Sequence, residues 1–210
     1  MADVRLGAGR ACETRGDPAC ARTQYEEAVA ADPLDARAHT RLAGVLLTRA
    51  DSSGMPQQRD ELFAQAAAHL ALASSADPFD YHHPRNEASL ERRWARQAPA
   101  SDRARHLDRA DASYAAAVAR APSVAPLWVE WGNLRVEQRR TDDALDKLEH
   151  AVALGPAGDA ALVCDAVLHA LGIDVRAPGG FAAAEAALRA RGLVRLSELY
   201  ATRAAGEAVR

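Results

Sequence analysis

Apolar positions along this chain recur in a fixed, uneven rhythm. Ala110, Tyr114, Ala117 and Pro122 stand four, three and five residues apart, and Ala144, Leu148, Ala151 and Pro156 repeat that spacing 34 residues later. The same pattern occurs at Ala21, Tyr25, Ala28 and Pro33, and at Ala66, Leu70, Ala73 and Pro78. Steps of four and three put the first three residues of each set on one helical face, and the proline ends the helix.

Extended to the whole chain, the pattern predicts helices near 3–15 and 18–31, 36–50 and 58–76, 84–98 and 101–121, 124–139 and 141–154, 158–171 and 180–191, and a last one from about 193. Gly16 suits the end of the first helix and Asp17-Pro18 the start of the second. Ser101, after Pro99, and Thr141 are the expected N-caps of two later helices. The spacing from Pro33 to Pro78 is 45 residues and from Pro78 to Pro122 is 44, against 34 from Pro122 to Pro156. Ten or so extra residues amount to about three helical turns at about 3.6 residues each. The middle helices are therefore expected to be longer, with some of the surplus in the loop around Gly54 and Pro56.

A 34-residue period with this signature resembles the tetratricopeptide repeat (TPR). Trp128, Trp131 and Gly132 stand where that family's first helix carries its aromatic, apolar and small residues, the small one allowing close approach to the Ala of the second helix. The resemblance implies an all-α fold, a right-handed α-solenoid forming a single domain over 1–210. Its repeats would span about 2–35, 36–80, 81–124, 125–158 and 159–192, with a capping helix over 193–208.

Composition fits: 49% of residues are hydrophobic but only 5% aromatic, the balance of closely packed helices rather than of a β-sandwich. The net charge of −3, with both signs scattered, offers no track for nucleic acid. No apolar run reaches the roughly 18–20 residues of a membrane span, and "MADVRLGAGRACETRGD" lacks the apolar core of a signal peptide. The chain as it stands thus carries no export address, and its compartment is left open. Cys12, Cys20 and Cys164 do not make a disulfide framework and read as small apolar thiols in helices. Cys12 and Cys20 fall on neighbouring antiparallel helices, so a bridge between them is conceivable in an oxidising compartment.

Candidate chemistry is sparse. His82-His83, near Asp80 and Glu87, is the nearest approach to a metal constellation. Adjacent histidines on a helix diverge by about 100°, so the pair reads as an ordinary helix start. Glu26-Glu27 and Asp142-Asp143 read as solvated helix surface, and no nucleophile sits in a G-x-S-x-G motif. Gly179-Gly180 lacks the Lys and Ser/Thr of a phosphate loop. No catalytic residue, metal or cofactor is expected.

Binding remains. In TPR arrays the first helix of each repeat lines a concave groove for peptide or protein partners. The resemblance places Val129, Glu130, Asn133, Val136 and Glu137 there in the fourth repeat, and Leu6, Arg10, Thr40 and Arg41 in the first two. Asn133 could clamp a ligand backbone with donor and acceptor together. Val129 and Thr40 stand where chaperone-binding members carry a carboxylate-gripping Lys, which argues against that role. Trp128 and Trp131 read as core. A narrower resemblance, over about residues 20–156, is to the soluble TPR tail of bacterial O-antigen ligase/polymerase-like membrane proteins. It is carried by "ADPFDYHHPRNEASLERRWARQAP", "RARHLDRADASYAAAVARAP" and "PLWVEWGNL". It implies an accessory to surface-polysaccharide assembly, associated with a membrane protein without inserting itself. The alternative is a free-standing cytoplasmic adaptor.

Overall fold

A computed structural model describes residues 1–155 and 158–208. Among these the chain forms eleven helices and no strand: α1 (Ala2–Thr14), α2 (Pro18–Ala31), α3 (Ala36–Ser52), α4 (Pro56–Ala76), α5 (His82–Gln97), α6 (Ala100–Arg120), α7 (Ala125–Glu137), α8 (Thr141–Leu154), α9 (Gly158–Ala170), α10 (Gly180–Ala190) and α11 (Val194–Ala208). They fall into two compact units, Met1–Arg120 and Ala121–Arg210.

In the first unit α1 packs on α2, α3 on α4 and α5 on α6. The repeated apolar set makes these seams: Ala21, Tyr25, Ala28, Ala66, Leu70, Ala73, Ala110, Tyr114 and Ala117 are all at most 2% exposed. Each buried Leu contributes on the order of 1.5–3 kcal/mol, and the alanines let backbones approach. Gly9 does the same from α1, with the Tyr25 ring packed directly against it. The middle helices are long, as the proline spacing predicts: α3 to α6 have 17, 21, 16 and 21 residues against 13 and 14 in α1 and α2. An aromatic stack fills the added length. Trp94 lies between Phe63 (centroids 5.4 Å) and His106 (4.5 Å), and its Nε1 donates to Asp60 at 3.0 Å.

In the second unit α7 pairs with α8, and Ala144, Leu148 and Ala151 are buried as in the first unit. Pro156, the last position of this fourth match, lies outside the described residues. Beyond α8 the pairing departs from expectation. α9 packs on α7 and α8, whereas α10 takes α11 as its main partner and α11 in turn packs on α8. The terminal helix is therefore held on two sides. Glu149 of α8 accepts the amides of Arg195 (2.6 Å) and Leu196 (2.8 Å), so a carboxylate 46 residues away caps α11. Tyr200 of α11 donates to Asp165 of α9, which also pairs with Arg203 at 3.2 Å.

Turn chemistry explains several helix ends. At Gly16, Gly172 and Gly192 the backbone is left-handed, with φ of 72°, 83° and 75°. The following amides return to the last turn, as in Asp17 N–H to Cys12 C=O at 3.0 Å, so orphan carbonyls are satisfied. Asp17 then caps α2 by accepting from Cys20 N–H at 2.9 Å. The α7–α8 turn copies this geometry with Arg139 in the left-handed position at φ 61°. It places Arg140, not Thr141, at the N-cap, and Thr141 becomes the first helical residue. Ser101 is likewise inside its helix. Pro99 C=O already accepts from Asp102 and Arg103 at 2.9 and 3.1 Å, so α6 starts at Ala100.

Two further expectations are corrected. Cys12 and Cys20 are joined in a disulfide across the α1–α2 turn, their Cα atoms 5.7 Å apart, because that tight turn sets the two helix ends face to face. Leu6 is core, 3% exposed, rather than groove. Cys164 remains a buried thiol, its pKa pushed up to about 12 by burial, and so is inert as a nucleophile.

Candidate partner-binding cleft

The first helices of the three pairs in the first unit, α1, α3 and α5, line a common cleft of about 440 Å3. Its walls include Thr40, Arg41, Ala43, Gly44 and Leu47 of α3, Glu13 of α1, and His82, Asn86, Ser89 and Arg93 of α5. The sequence places Thr40 and Arg41 in a groove, and the structure brings them together there. Steps of three and four along α5 put Asn86, Ser89 and Arg93 on one polar stripe. All three line the cleft, while Ala88 and Ala95 on the opposite face of α5 are buried.

Both arginines are braced. Arg41 faces Glu13 at 3.5 Å, and Arg93 pairs with Asp51, whose other oxygen accepts from Gln97 at 2.8 Å. Thr40 donates its hydroxyl back to Ala36 C=O at 2.8 Å, so its oxygen can still accept a hydrogen bond but its proton is committed to the helix. The amide of Asn86 and the hydroxyl of Ser89 have no protein hydrogen-bond partner among the described residues. Arg10 is exposed on α1, and the Tyr25 pKa is pushed up to about 12 by burial first and then by Glu13, with Arg41 and Arg10 acting against the rise.

The α7 residues stand in the second unit. Val129, Glu130, Asn133 and Glu137 are all half-buried, and Val129 and Val136 pack against the core there. Asn133 has no protein partner for its amide among the described residues. A cavity of about 410 Å3 in this unit is lined by α9 and the loop after it, including Asp165, His169, Asp174 and Arg176, and by none of the α7 residues. Trp128 packs on the core and stacks on His150 at 4.6 Å, while Lys147 Nζ sits 4.1 Å over the Trp131 ring.

Asn86, Ser89 and Arg93 are missing from the sequence reading, although Asn86 stands eight residues after Pro78 as Arg41 does after Pro33. Their signal is the spacing Asn-x-x-Ser-x-x-x-Arg, with Ala88 and Ala95 on the opposite face. No helix among the described residues is long and apolar enough to cross a membrane.

Residues 2–45 match the family model described as tetratricopeptide repeat. No curated protein sequence matches the chain. Among solved structures, a thermophilic TPR protein of Thermus thermophilus superposes with a TM-score of 0.65 at 19% identity, covering 96% of this chain and 98% of that one. A MamA protein does so with a TM-score of 0.62 at 16% identity, covering 91% and 93%. At such identities the likeness shows the fold.

Proposed function

We propose that this chain, a tetratricopeptide-repeat protein, is a non-catalytic interaction scaffold that takes an extended segment of a partner protein into the cleft between α1, α3 and α5. The observation that carries this reading is Asn86 with Ser89, two polar side chains that open on the cleft and have no protein partner there. A side-chain amide offers a donor and an acceptor at the spacing of a peptide group. Arg41 and Arg93, held in place by carboxylates, would engage acidic side chains of the same segment. Exposed pairs such as Arg41–Glu13 are worth at most about 1 kcal/mol, so exchanging Glu13 for a ligand carboxylate costs little. The cavity lies within the roughly 300–1,000 Å3 of ligand sites and would hold a few residues.

On this reading Arg10 extends the basic edge of the cleft, and Asn133, with Glu130 and Glu137 on the same helix, forms a second contact surface in the other unit. The adaptor version requires nothing further. The accessory to surface-polysaccharide assembly is its special case, in which the segment belongs to a membrane protein.

Panning a random-peptide display library against the chain tests the reading, with an Asn86→Ala/Arg41→Ala form and an Asn133→Ala form as comparisons. Enriched peptides should lose about tenfold or more in affinity on the first form, since two contacts of about 1 kcal/mol or more each are removed. Peptides that bind all three forms equally would refute the cleft. Peptides from the loops of membrane glycan-assembly proteins, added to the panel, separate the accessory from the general adaptor.

A further inference from the structure

The loops Asp32-Pro33-Leu34-Asp35 and Asp77-Pro78-Phe79-Asp80 occupy equivalent places, 45 residues apart, before α3 and α5. In both, the second aspartate opens the helix by accepting an amide two residues on: Arg37 N–H to Asp35 at 2.9 Å, and His82 N–H to Asp80 Oδ1 at 2.9 Å. Three residues after Asp35 stands Ala38, fully buried and small. Its counterpart after Asp80 is His83, 4% exposed, with no hydrogen-bond partner for Nδ1 or Nε2. Burying an imidazole without a partner is costly, and Ala38 shows that the fold does not need it.

What His83 faces is acidic. Its Nε2 is 3.9 Å from Asp80 Oδ2, and ligand atoms of Asp77, Asp80 and His83 all lie within 4.8 Å of one another. Asp80 Oδ1 is already occupied by the His82 amide and ring, the latter at 2.7 Å, so Oδ2 is the oxygen left for this cluster. Arg120 donates to the Asp80 backbone carbonyl at 3.1 Å, leaving its carboxylate to the cluster. We propose that Asp77, Asp80 and His83 form a binding site for a divalent cation of the zinc type at the junction of the second and third helix pairs. One imidazole nitrogen and two carboxylate oxygens are a ligand set zinc accepts, and three protein ligands leave a position for water or for a group on a partner. Ligands at about 2.0–2.1 Å from zinc stand roughly 3.3 Å apart on a tetrahedron, so the three side chains need to close by at most about 1.5 Å, which the exposed Asp77 can supply. His82 stays outside, stacked on Tyr81 at 4.0 Å.

The test is calorimetric titration of Zn2+ into the full, disulfide-intact chain in metal-free buffer, with melting temperature read in parallel. One equivalent should bind and raise the melting temperature. Asp77→Asn, at an exposed position, should keep the fold and weaken binding about tenfold or more. His83→Asn should do the same, and His82→Gln should bind like the parent. If His83→Asn fails to fold, the His83 ring resonances of the parent still report: they must shift on adding one equivalent of Zn2+. Absence of saturable binding up to millimolar Zn2+, unchanged affinity in Asp77→Asn, or loss in His82→Gln with His83→Asn unaffected would each overturn the proposal.

Discussion

Gly9 and Gly132 hold the same place in their repeats, each 16 residues before the large residue of the second helix, yet alanine should act on them in opposite directions. A Cβ on Gly132 would lie 3.2 and 3.3 Å from Leu148 Cδ2 and Cγ, so the leucine end must give by a few tenths of an ångström. A Cβ on Gly9 would lie 2.6 and 2.7 Å from Tyr25 Cδ1 and Cζ, and closer still to Cε1. Carbon pairs rest at about 3.5–4.0 Å, so that ring must move by about 1 Å. It is 0% exposed and has nowhere to go.

Alanine gains about 1 kcal/mol over glycine in a helix interior. Overpacking costs about 1–3 kcal/mol, at the upper end for a rigid buried ring. Gly9→Ala should therefore lose about 1–2 kcal/mol net, and Gly132→Ala should be neutral or gain up to about 1 kcal/mol. Urea denaturation followed by hydrogen exchange measures both, because exchange reports on α1–α2 and α7–α8 separately where the two units unfold apart. Adding Tyr25→Leu to Gly9→Ala reproduces in the first repeat the contact that Gly132→Ala makes with Leu148, so the two changes should couple favourably by more than about 1 kcal/mol. A Gly9→Ala chain as stable as the parent, or no coupling with Tyr25→Leu, refutes the packing argument.

Three further outcomes rest on single interactions. Glu149→Ala removes the acceptor of two backbone amides at the start of α11 and should cost about 1–3 kcal/mol, seen as lost exchange protection in α10–α11, with Glu149→Gln milder. Arg139→Gly relieves a left-handed residue at φ 61° and should raise stability by about 0.5–1 kcal/mol in a urea melt, glycine's greater unfolded-state freedom offsetting part of the relief. His69 is held below its usual pKa by burial and by His39, whose Nδ1 lies 2.9 Å from its own. The folded chain then binds fewer protons than the unfolded one as pH falls below about 6.5, so stability should drop with acidification there, and His69→Gln should flatten that slope in melts from about pH 7.5 to about pH 5.

Helix positions were legible because each depends on local spacing. Ala-x-x-x-Tyr-x-x-Ala followed by a proline fixes a face and an end without reference to anything distant. Caps were less so. Thr141 is a good N-cap by residue type, but Arg139 adopts the left-handed turn that glycine makes at Gly16, and the cap moves back one residue onto Arg140. The partnership of α10 with α11 could not be read at all, because the Glu149 carboxylate that anchors α11 looks in sequence like any exposed helix residue. The disulfide was open for a similar reason: Cys12 and Cys20 can meet only if the α1–α2 turn is as tight as the Gly16 geometry makes it.

In a chain of repeats each repeat is the control for the others, and the chemistry of interest lies where equivalent positions disagree. Ala38 and His83 fill equivalent buried places, and only the second carries nitrogens that need a partner. Arg41 and Asn86 stand eight residues after Pro33 and Pro78, both in elongated repeats, and there too equivalent positions differ, an arginine against an amide. The added turns of α5 do two things together: they bring Trp94 between Phe63 and His106, and they extend the polar stripe that ends at Arg93 and Asp51. Lengthening this repeat thus enlarges the cleft and supplies the core that supports it. The polar cleft residues Arg41, Asn86 and Ser89 should therefore tolerate substitution with little loss of stability in a urea melt, while Trp94 should not.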